Sequence, residues 1–265
     1  MIYDIQDLVN DYKNALIERI KRLGSPRLDI VKTSNDYASE RYIGNKVKMG
    51  ELVGVKVRVI APHEMHRSNA HGLIVQLPVG DGFNERDLIS CVPNEKDVDG
   101  FNDQTLGEIM RKGYSYLSPC TAVGVTQIIH QFFNEKLAGK NIVIINRSNI
   151  VGKPLAMMLL GLDATVTICH SKTVDLIEHT KKADCVVSAV GKANFITREM
   201  LKEGALVVDV GINRNEAGKL CGDVSEDVKT ASDVWTTPVP RGVGQLTVLN
   251  LLHNTLLAMI KQNKR

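Results

Sequence analysis

Asn141-Ile-Val-Ile-Ile-Asn146-Arg147-Ser148-Asn149-Ile150-Val151-Gly152-Lys153-Pro154 decides the fold class of this chain. The run 141–145 carries four β-branched apolar residues in succession and reads as a strand buried on both faces, the kind found inside a parallel sheet. A polar turn, 146–149, leads into an apolar segment opened by Pro154, a residue tolerated in the first turn of a helix because its missing N–H has no partner there. A strand turning tightly into a helix aims unpaired N–H groups and the positive helix end at one spot, which suits a phosphate. Asn146 and Ser148 replace the first two glycines of the dinucleotide fingerprint, so Gly152 alone remains of it. Arg147 and Ser148 supply a guanidinium fork and a hydroxyl just past the strand, and no acid stands there to take a ribose hydroxyl. That pattern favours NADP over NAD.

Downstream, short strands at 164–169, 183–189 and 205–210 alternate with helices at 175–181 and 198–202, as in a Rossmann-like doubly wound parallel sheet. Their ends, His170-Ser171, Ala189-Val190-Gly191 and Asp209-Val-Gly211, put small or polar groups at the edge where such sheets bind ligands. Upstream, apolar residues at helical spacing over 4–22 stop at Gly24-Ser-Pro26, and a strand (28–33), a helix (37–50) and strands at 55–60 and 72–78 follow. The link 61–71 leaves room for only a stub of helix. The stretch 91–100 reads as a surface loop, 103–112 as a helix and 121–137 as a long connecting helix. Residues 236–247 form an ordered turn, and 248–260 an apolar helix that returns to the first domain.

The chain is α/β, with a first domain at 1–118 completed by a C-terminal helix at 246–265, and a second at 119–245. Its 265 residues hold 43% hydrophobic and 24% charged side chains, and a net charge of +3 gives no sign of a nucleic-acid partner. The five cysteines are scattered without metal-ligand spacing, so structural zinc is not expected and a reducing, cytoplasmic setting fits. No apolar run of membrane-spanning length and no targeting segment were recognised.

Candidate chemistry lies in the first domain. Tyr42 and Lys46 stand four apart and share a helix face. An amphipathic helix with a snorkelling lysine explains the spacing equally well. Gln76 interrupts an apolar strand, where a buried amide either bonds to backbone or holds another side chain. Asp97 and Asp99 are solvated loop acids, metal ligands, or, singly, a grip on an amino-pyrimidine. His170 could be a general base, although a backbone-bonded histidine is the commoner case.

Together these stretches resemble the bifunctional methylenetetrahydrofolate dehydrogenase/cyclohydrolase family. The matching blocks are Ala38-Ser-Glu-Arg-Tyr42-Ile-Gly-Asn-Lys46, His71-Gly-Leu-Ile-Val-Gln76-Leu-Pro78, Lys96-Asp-Val-Asp99-Gly100 and Pro119-Cys-Thr121. They continue with Arg147-Ser-Asn-Ile-Val-Gly-Lys-Pro154, Thr165-Val-Thr-Ile-Cys-His-Ser-Lys-Thr173, Gly222-Asp-Val224 and Thr237-Pro-Val-Pro240. The resemblance implies two domains flanking a cleft, a homodimer formed through the cofactor domains, no metal, and no nucleic-acid or membrane partner. It implies NADP-dependent oxidation of 5,10-methylenetetrahydrofolate and hydrolysis of the methenyl product to 10-formyltetrahydrofolate. It also implies roles: Lys46 as proton handler, Gln76 holding it, Tyr42 stacking on the aminobenzoate ring and Asp99 gripping the pterin, with Pro78 and Gly242 on the substrate wall. NADP would be held by Asn146, Arg147, Ser148, Ile150, Val151, His170, Ser171, Ala189, Val190, Gly191, Asp209 and Gly211.

The chain departs from the family pattern at several places. Asn146 and Arg241 stand where glycine is expected, with Asn146 expected to tolerate a left-handed turn and Arg241 to bring a cation beside the ligands. Gln245 and Leu246 replace Pro and Met, Ala122 and Gly80 each replace Pro, and the segment before Gly72 is shorter. Asn146, Arg241 and Gln245 motivate two alternatives, a dehydrogenase-only variant and a non-catalytic folate- or nucleotide-binding homologue.

Overall fold

The buried strand expected at 141–145 is an interior strand of a five-stranded, wholly parallel sheet in a computed structural model that describes residues 1–264. In chain order the elements are α1 (Gln6–Leu23), β1 (Arg27–Val31), α2 (Tyr37–Val53), β2 (Lys56–Ile60), β3 (Gly72–Val75), α3 (Glu85–Ser90), α4 (Asp103–Lys112) and α5 (Cys120–Phe132). There follow β4 (Asn141–Ile145), α6 (Gly152–Leu160), β5 (Thr165–Cys169), α7 (Leu176–Thr180), β6 (Cys185–Ser188) and β7 (Leu206–Asp209). The chain continues with β8 (Asn213–Arg214), β9 (Leu220–Cys221), α8 (Glu226–Thr230), β10 (Trp235–Thr236) and α9 (Val243–Gln262).

The chain divides into two compact units. One comprises Asn10–Glu108, Ser115–Cys120 and Val248–Arg265, and the other Met1–Val9, Ile109–Tyr114 and Thr121–Thr247. Relative to boundaries of 1–118 with 246–265 and 119–245, residues 1–9 and 109–114 group with the dinucleotide-type unit.

The first unit is built on a parallel sheet of order β2-β1-β3. Strand β1 is central, and its Asp29 is buried in the sheet opposite Arg58 of β2. Burial pushes that carboxyl up, but hydrogen bonds from Arg58 and Ser68 outweigh it and hold Asp29 below its ordinary value. Gly50 lets α2 lie close to β2, because a Cβ there would stand 2.5 Å from the Val57 side chain. The short link from β2 to β3 holds a single 3-10 stretch, Pro62–Arg67, as its length demanded. Val31, Ile60, Leu73, Val75 and Val92 form one core cluster of this unit.

Helix α9 corrects one sequence expectation. Twenty residues long and apolar, it meets the length and composition of a membrane span, yet 61% of that stretch is buried inside the protein. Its polar residues are engaged within the first unit, where Tyr12 donates to Asn250 Oδ1 at 2.8 Å. It is a core helix. It also begins at Val243, five residues before the expected start, while α5 ends at Phe132 because Asn134 and Glu135 turn left-handed (φ 48° and 66°).

The second unit carries the sheet of order β10-β7-β6-β4-β5. The chain leaves β4 to β5 on one side and returns to β6 on the other, so the topological switch point lies between β4 and β6. Sheets of this kind bind ligands at the carboxyl ends of the strands beside that point.

Candidate active site

In the first unit α2 presents Tyr42 and Lys46 on one face, and β3 delivers Gln76 at its end. Lys46 Nζ donates to Gln76 Oε1 at 2.9 Å. Gln76 Nε2 in turn donates to the carbonyl of Leu77 at 2.7 Å, which fixes the amide with its oxygen toward the lysine. A buried glutamine side chain (6% exposed) is thus satisfied at both ends, by Lys46 and by the Leu77 carbonyl. Both arrangements open for Gln76 occur together: its amide nitrogen bonds to neighbouring backbone while its oxygen accepts from the Lys46 side chain.

Asp97 and Asp99 are not solvated loop acids. Asp97 is 3% exposed and folds back on its own turn, accepting from the N–H groups of Gly100 (3.1 Å) and Asn102 (2.8 Å). Burial pushes its carboxyl up to about 6, with the Asp99 charge adding to that and the backbone amides opposing it. The Asp99 carboxyl makes no hydrogen bond among the described residues. Burial raises it and the Lys46 charge pulls it back. Lys46, Gln76 and Asp99 are therefore brought into one neighbourhood, and Pro78 lies two residues after Gln76. No group of three or more His, Cys, Asp or Glu able to hold a metal occurs among the described residues.

The turn carrying Asp99 requires glycine at 100. Its φ is +77°, and a Cβ would stand 2.6 Å from the Leu117 carbonyl oxygen and 2.7 Å from Pro119 N. Gly80, where the family pattern has Pro, packs on Thr33 so closely that a Cβ would meet its carbonyl oxygen at 2.4 Å, and its N–H donates to Thr33 Oγ1. Ala122 is fully buried in α5.

In the second unit the expected cofactor residues line up along one edge, at the carboxyl ends of β4, β5, β6 and β7. Asn146 is not left-handed. Its amide instead joins two of these loops: Nδ2 donates to the Ala189 carbonyl at 2.7 Å, directly across the switch point. Its Oδ1 accepts from Ser148 N (2.8 Å), Ser148 Oγ (2.7 Å) and Gly152 N (3.1 Å). Ser148 Oγ also accepts from Val151 N at 3.1 Å. The amides expected to be free at the start of α6 are therefore already bonded to Asn146 and Ser148. Arg147 faces outward, exposed and with no hydrogen bond or ion pair among the described residues. A guanidinium in that position fits a phosphate of the dinucleotide, the 2′-phosphate of NADP above all. Gly152 is obligatory, since a Cβ would lie 2.1 Å from the Asn146 carbonyl oxygen.

His170 is a turn-former whose Nδ1 accepts from Lys172 N at 3.1 Å, while its own N–H donates to Thr173 Oγ1. Ser171, Val190 and Gly191 are exposed at the strand ends. Asp209 turns inward, 2% exposed, and accepts from the backbone of Gly211, Asp223 and Val224. Burial pushes it up to about 6, and the charge of Asp223 adds to that shift. What it offers a ligand is the shape of the strand end rather than its carboxylate.

Asp223, to which no role had been given, is fully buried and grips the loop after β6. Its Oδ2 accepts from Ser188 Oγ, Val190 N and Gly191 N, and its Oδ1 from Lys192 N and Asn213 Nδ2. The two acids interlock. A Cβ on Gly211 would meet Asp223 at 2.1 Å, and one on Gly222 would meet Asp209 at 1.9 Å.

Arg241, at φ +73°, occupies a backbone conformation that costs a non-glycine residue roughly 1–2 kcal/mol. Its carbonyl accepts from Gln6 Nε2 and Gln245 Nε2, so two of the departures from the family pattern brace each other. Its side chain is exposed, and Gly242 beside it is buried against Pro238.

Two family models match the chain: the tetrahydrofolate dehydrogenase/cyclohydrolase catalytic domain over residues 4–99, and the NAD(P)-binding domain of the same family over 119–263. The bifunctional protein FolD of Bacillus velezensis is 42% identical over 273 residues, covering 96% of each chain. The crystal structure of the bifunctional FolD methylenetetrahydrofolate dehydrogenase/cyclohydrolase of Campylobacter jejuni superposes with a TM-score of 0.91 at 35% identity over 99% of each chain. The Trypanosoma brucei methylenetetrahydrofolate dehydrogenase-cyclohydrolase, crystallised with NADP and an inhibitor, gives a TM-score of 0.91 at 28% identity, covering 100% of this chain and 99% of that one.

The buried acids predict a pH dependence of stability. Asp97 and Asp209, both pushed up to about 6, hold protons in the folded chain where an unfolded aspartate, at about 4, has lost them. The contribution of these two acids to stability therefore falls as pH rises from about 4 to about 6, opposed over the same range by His253, whose imidazole burial pushes down to about 4. The opposite contribution of Asp29 and Asp184, both held low, is lost as pH drops below about 4. Asp209→Asn is expected to raise the urea midpoint at about pH 6.5 relative to that at about pH 4.5, compared with the parent chain; an unchanged pH profile contradicts the assignment to Asp209.

Proposed function

Because the chain belongs to the tetrahydrofolate dehydrogenase/cyclohydrolase family, we propose that it oxidises 5,10-methylenetetrahydrofolate with NADP and hydrolyses the methenyl product to 10-formyltetrahydrofolate. It is a bifunctional enzyme of one-carbon folate metabolism. The observation that carries the assignment of chemistry to residues is the Lys46–Gln76 hydrogen bond beside Asp99. A lysine held at a fixed distance by a neutral amide is oriented without an anionic partner, which suits a group that must pass a proton.

When bound, NADP supplies a nicotinamide that accepts the hydride from the methylene carbon. In this reading Asp99 accepts N–H groups of the pterin and Tyr42 stacks on the aminobenzoate ring, so that both act in the oxidation chiefly by position. Loss of hydride leaves a cation shared between two substrate nitrogens. Water then adds to the methenyl carbon, its proton is removed, and N5 takes a proton as the carbon–N5 bond breaks. Lys46 handles that proton traffic with Gln76 keeping its Nζ in place. Arg147 holds the 2′-phosphate of NADP, and the loops ending β4 and β6, tied together by Asn146, form the floor beneath the dinucleotide. Asn146, Arg241 and Gln245, which motivated a merely binding homologue, are each absorbed by local hydrogen bonds.

The reading extends to a homodimer formed through the second unit. Strands of a parallel sheet are ordinarily covered on both faces, yet edge strand β5 leaves Ile168 36% exposed, and α6, which packs on that strand, ends in Leu160 at 56% exposure. A cytoplasmic setting accords with five unpaired cysteines.

The purified protein with methylenetetrahydrofolate and NADP is expected to form methenyltetrahydrofolate and then consume it; absence of both signals refutes the proposal. Lys46→Met should abolish hydrolysis while keeping a native circular-dichroism spectrum, and undiminished hydrolysis removes Lys46 from its role. Arg147→Ala should weaken NADP more than NAD, by about 1–3 kcal/mol in Kd, and equal losses would contradict the 2′-phosphate contact. Ile168→Lys should convert a dimer to monomer in sedimentation, an outcome that an unchanged particle mass would exclude.

A further inference from the structure

Helix α9 is largely apolar along its buried side, where Leu249, Leu251, Leu252, Leu256 and Ala258 are no more than 1% exposed. Asn250 and Thr255 interrupt that side at 3% and 0% exposure, and so does Asn254, at 7%. An amide in such a place destabilises the fold unless it is bonded. Its Nδ2 donates to the Val98 carbonyl and to the Ser118 carbonyl, each at 2.9 Å, and lies 3.6 Å from Cys120 Sγ. The Cys120 thiol donates to the same Val98 oxygen at 3.3 Å.

The Val98 carbonyl belongs to the peptide plane that enters Asp99. The plane that leaves Asp99 carries the Gly100 N–H, and Asp97 accepts from that N–H at 3.1 Å. Both peptide planes flanking Asp99 are therefore pinned by buried side chains. Gly100 adds a steric stop, pressed against Leu117 and Pro119. With the backbone fixed on both sides, the direction of the Asp99 Cα–Cβ bond is set before any ligand arrives. Its carboxyl, with no hydrogen bond of its own, is left for one.

We propose that Asn254 is a positioning residue for the folate substrate, acting by clamping the Val98 peptide and the 118–120 segment so that Asp99 is presented in its binding orientation. The proposal rests on the pterin-binding role given to Asp99. Apolar packing alone does not account for Asn254, because a leucine, branched at the same carbon, would serve α9 equally well, yet it would take the donor from the Ser118 carbonyl and leave the Val98 carbonyl with the weak Cys120 thiol alone.

The test is steady-state kinetics of NADP-dependent oxidation for Asn254→Leu, alone and combined with Asp99→Ala, with folding checked by thermal melts. Asn254→Leu is expected to lower kcat/KM for methylenetetrahydrofolate about tenfold, mainly through KM, and to leave the KM for NADP within about twofold. In the Asp99→Ala background the same change should alter kcat/KM by less than about twofold, since there is no carboxyl left to position. A tenfold loss in both backgrounds, or an equal rise in the KM for NADP, overturns the proposal. Should Asn254→Leu fail to fold, Asn254→Ala, which adds no bulk, carries the same comparison. An Asp99→Ala enzyme with wild-type kcat/KM brings down the reading of Asp99 instead, and the two failures are told apart by that one variant.

Discussion

In the proposed reading Lys46 exchanges protons, and such a lysine needs a partner that fixes its place without neutralising it. A carboxylate at hydrogen-bonding distance would hold the ammonium largely by charge, whereas the Gln76 amide oxygen holds Lys46 Nζ at 2.9 Å by geometry. Much of the first unit follows from that requirement. Strand β3 is buried along its whole length so that Gln76 emerges at a fixed point, and Gly50 lets α2 settle against β2. Asp99 contributes charge to the same neighbourhood while making no hydrogen bond to the lysine.

Uncharged partners also answer three other buried carboxylates, whereas buried Asp29 is held by the Arg58 guanidinium and the Ser68 hydroxyl. Asp97, Asp209 and Asp223 are taken out of water and answered by backbone N–H groups, joined at Asp223 by the Ser188 hydroxyl and the Asn213 amide. An ionised carboxylate buried alone would cost several kcal/mol; the hydrogen bonds oppose part of that loss, and burial still prevails at Asp97 and Asp209, both pushed up to about 6. The consequence is rigidity in loops that carry binding residues. Each of these acids turns a connecting segment into a fixed edge.

How much of this could be read from the sequence depended on the range of the interaction. Strands β4 to β7, helix α2, and the pairing of Tyr42 with Lys46 were legible because apolar period and i,i+4 spacing are local signals. Asn146, Asp209 and Asp223 were not, because a polar residue at a strand end reads alike whether it faces a ligand or folds back to cap its neighbour. The partners of Asp223 lie up to 35 residues away and those of Asn254 up to 156, and no periodicity carries that information. The hairpin of β8 and β9, with two residues per strand, and the five-residue helix α8 are too short to leave a pattern. The early end of α5 rests on two left-handed residues, Asn134 and Glu135, neither of them glycine.

The assembly of the first unit from Asn10–Glu108, Ser115–Cys120 and Val248–Arg265 has a bearing on how the polypeptide is made. A chain emerging from the ribosome will have exposed its first sheet, and the whole of the five-stranded one, before the segment containing Asn254 is available. Until then the Ser118 carbonyl lacks its Asn254 donor, the Val98 carbonyl has the Cys120 thiol alone, and the bed of α9 stays open to water. Synthesis of the segment that forms α9, rather than of the early strands, is the event that closes this unit. A nascent or prematurely terminated product would carry a finished dinucleotide sheet attached to an unfinished, sticky companion, the sort of species that chaperones and proteases recognise.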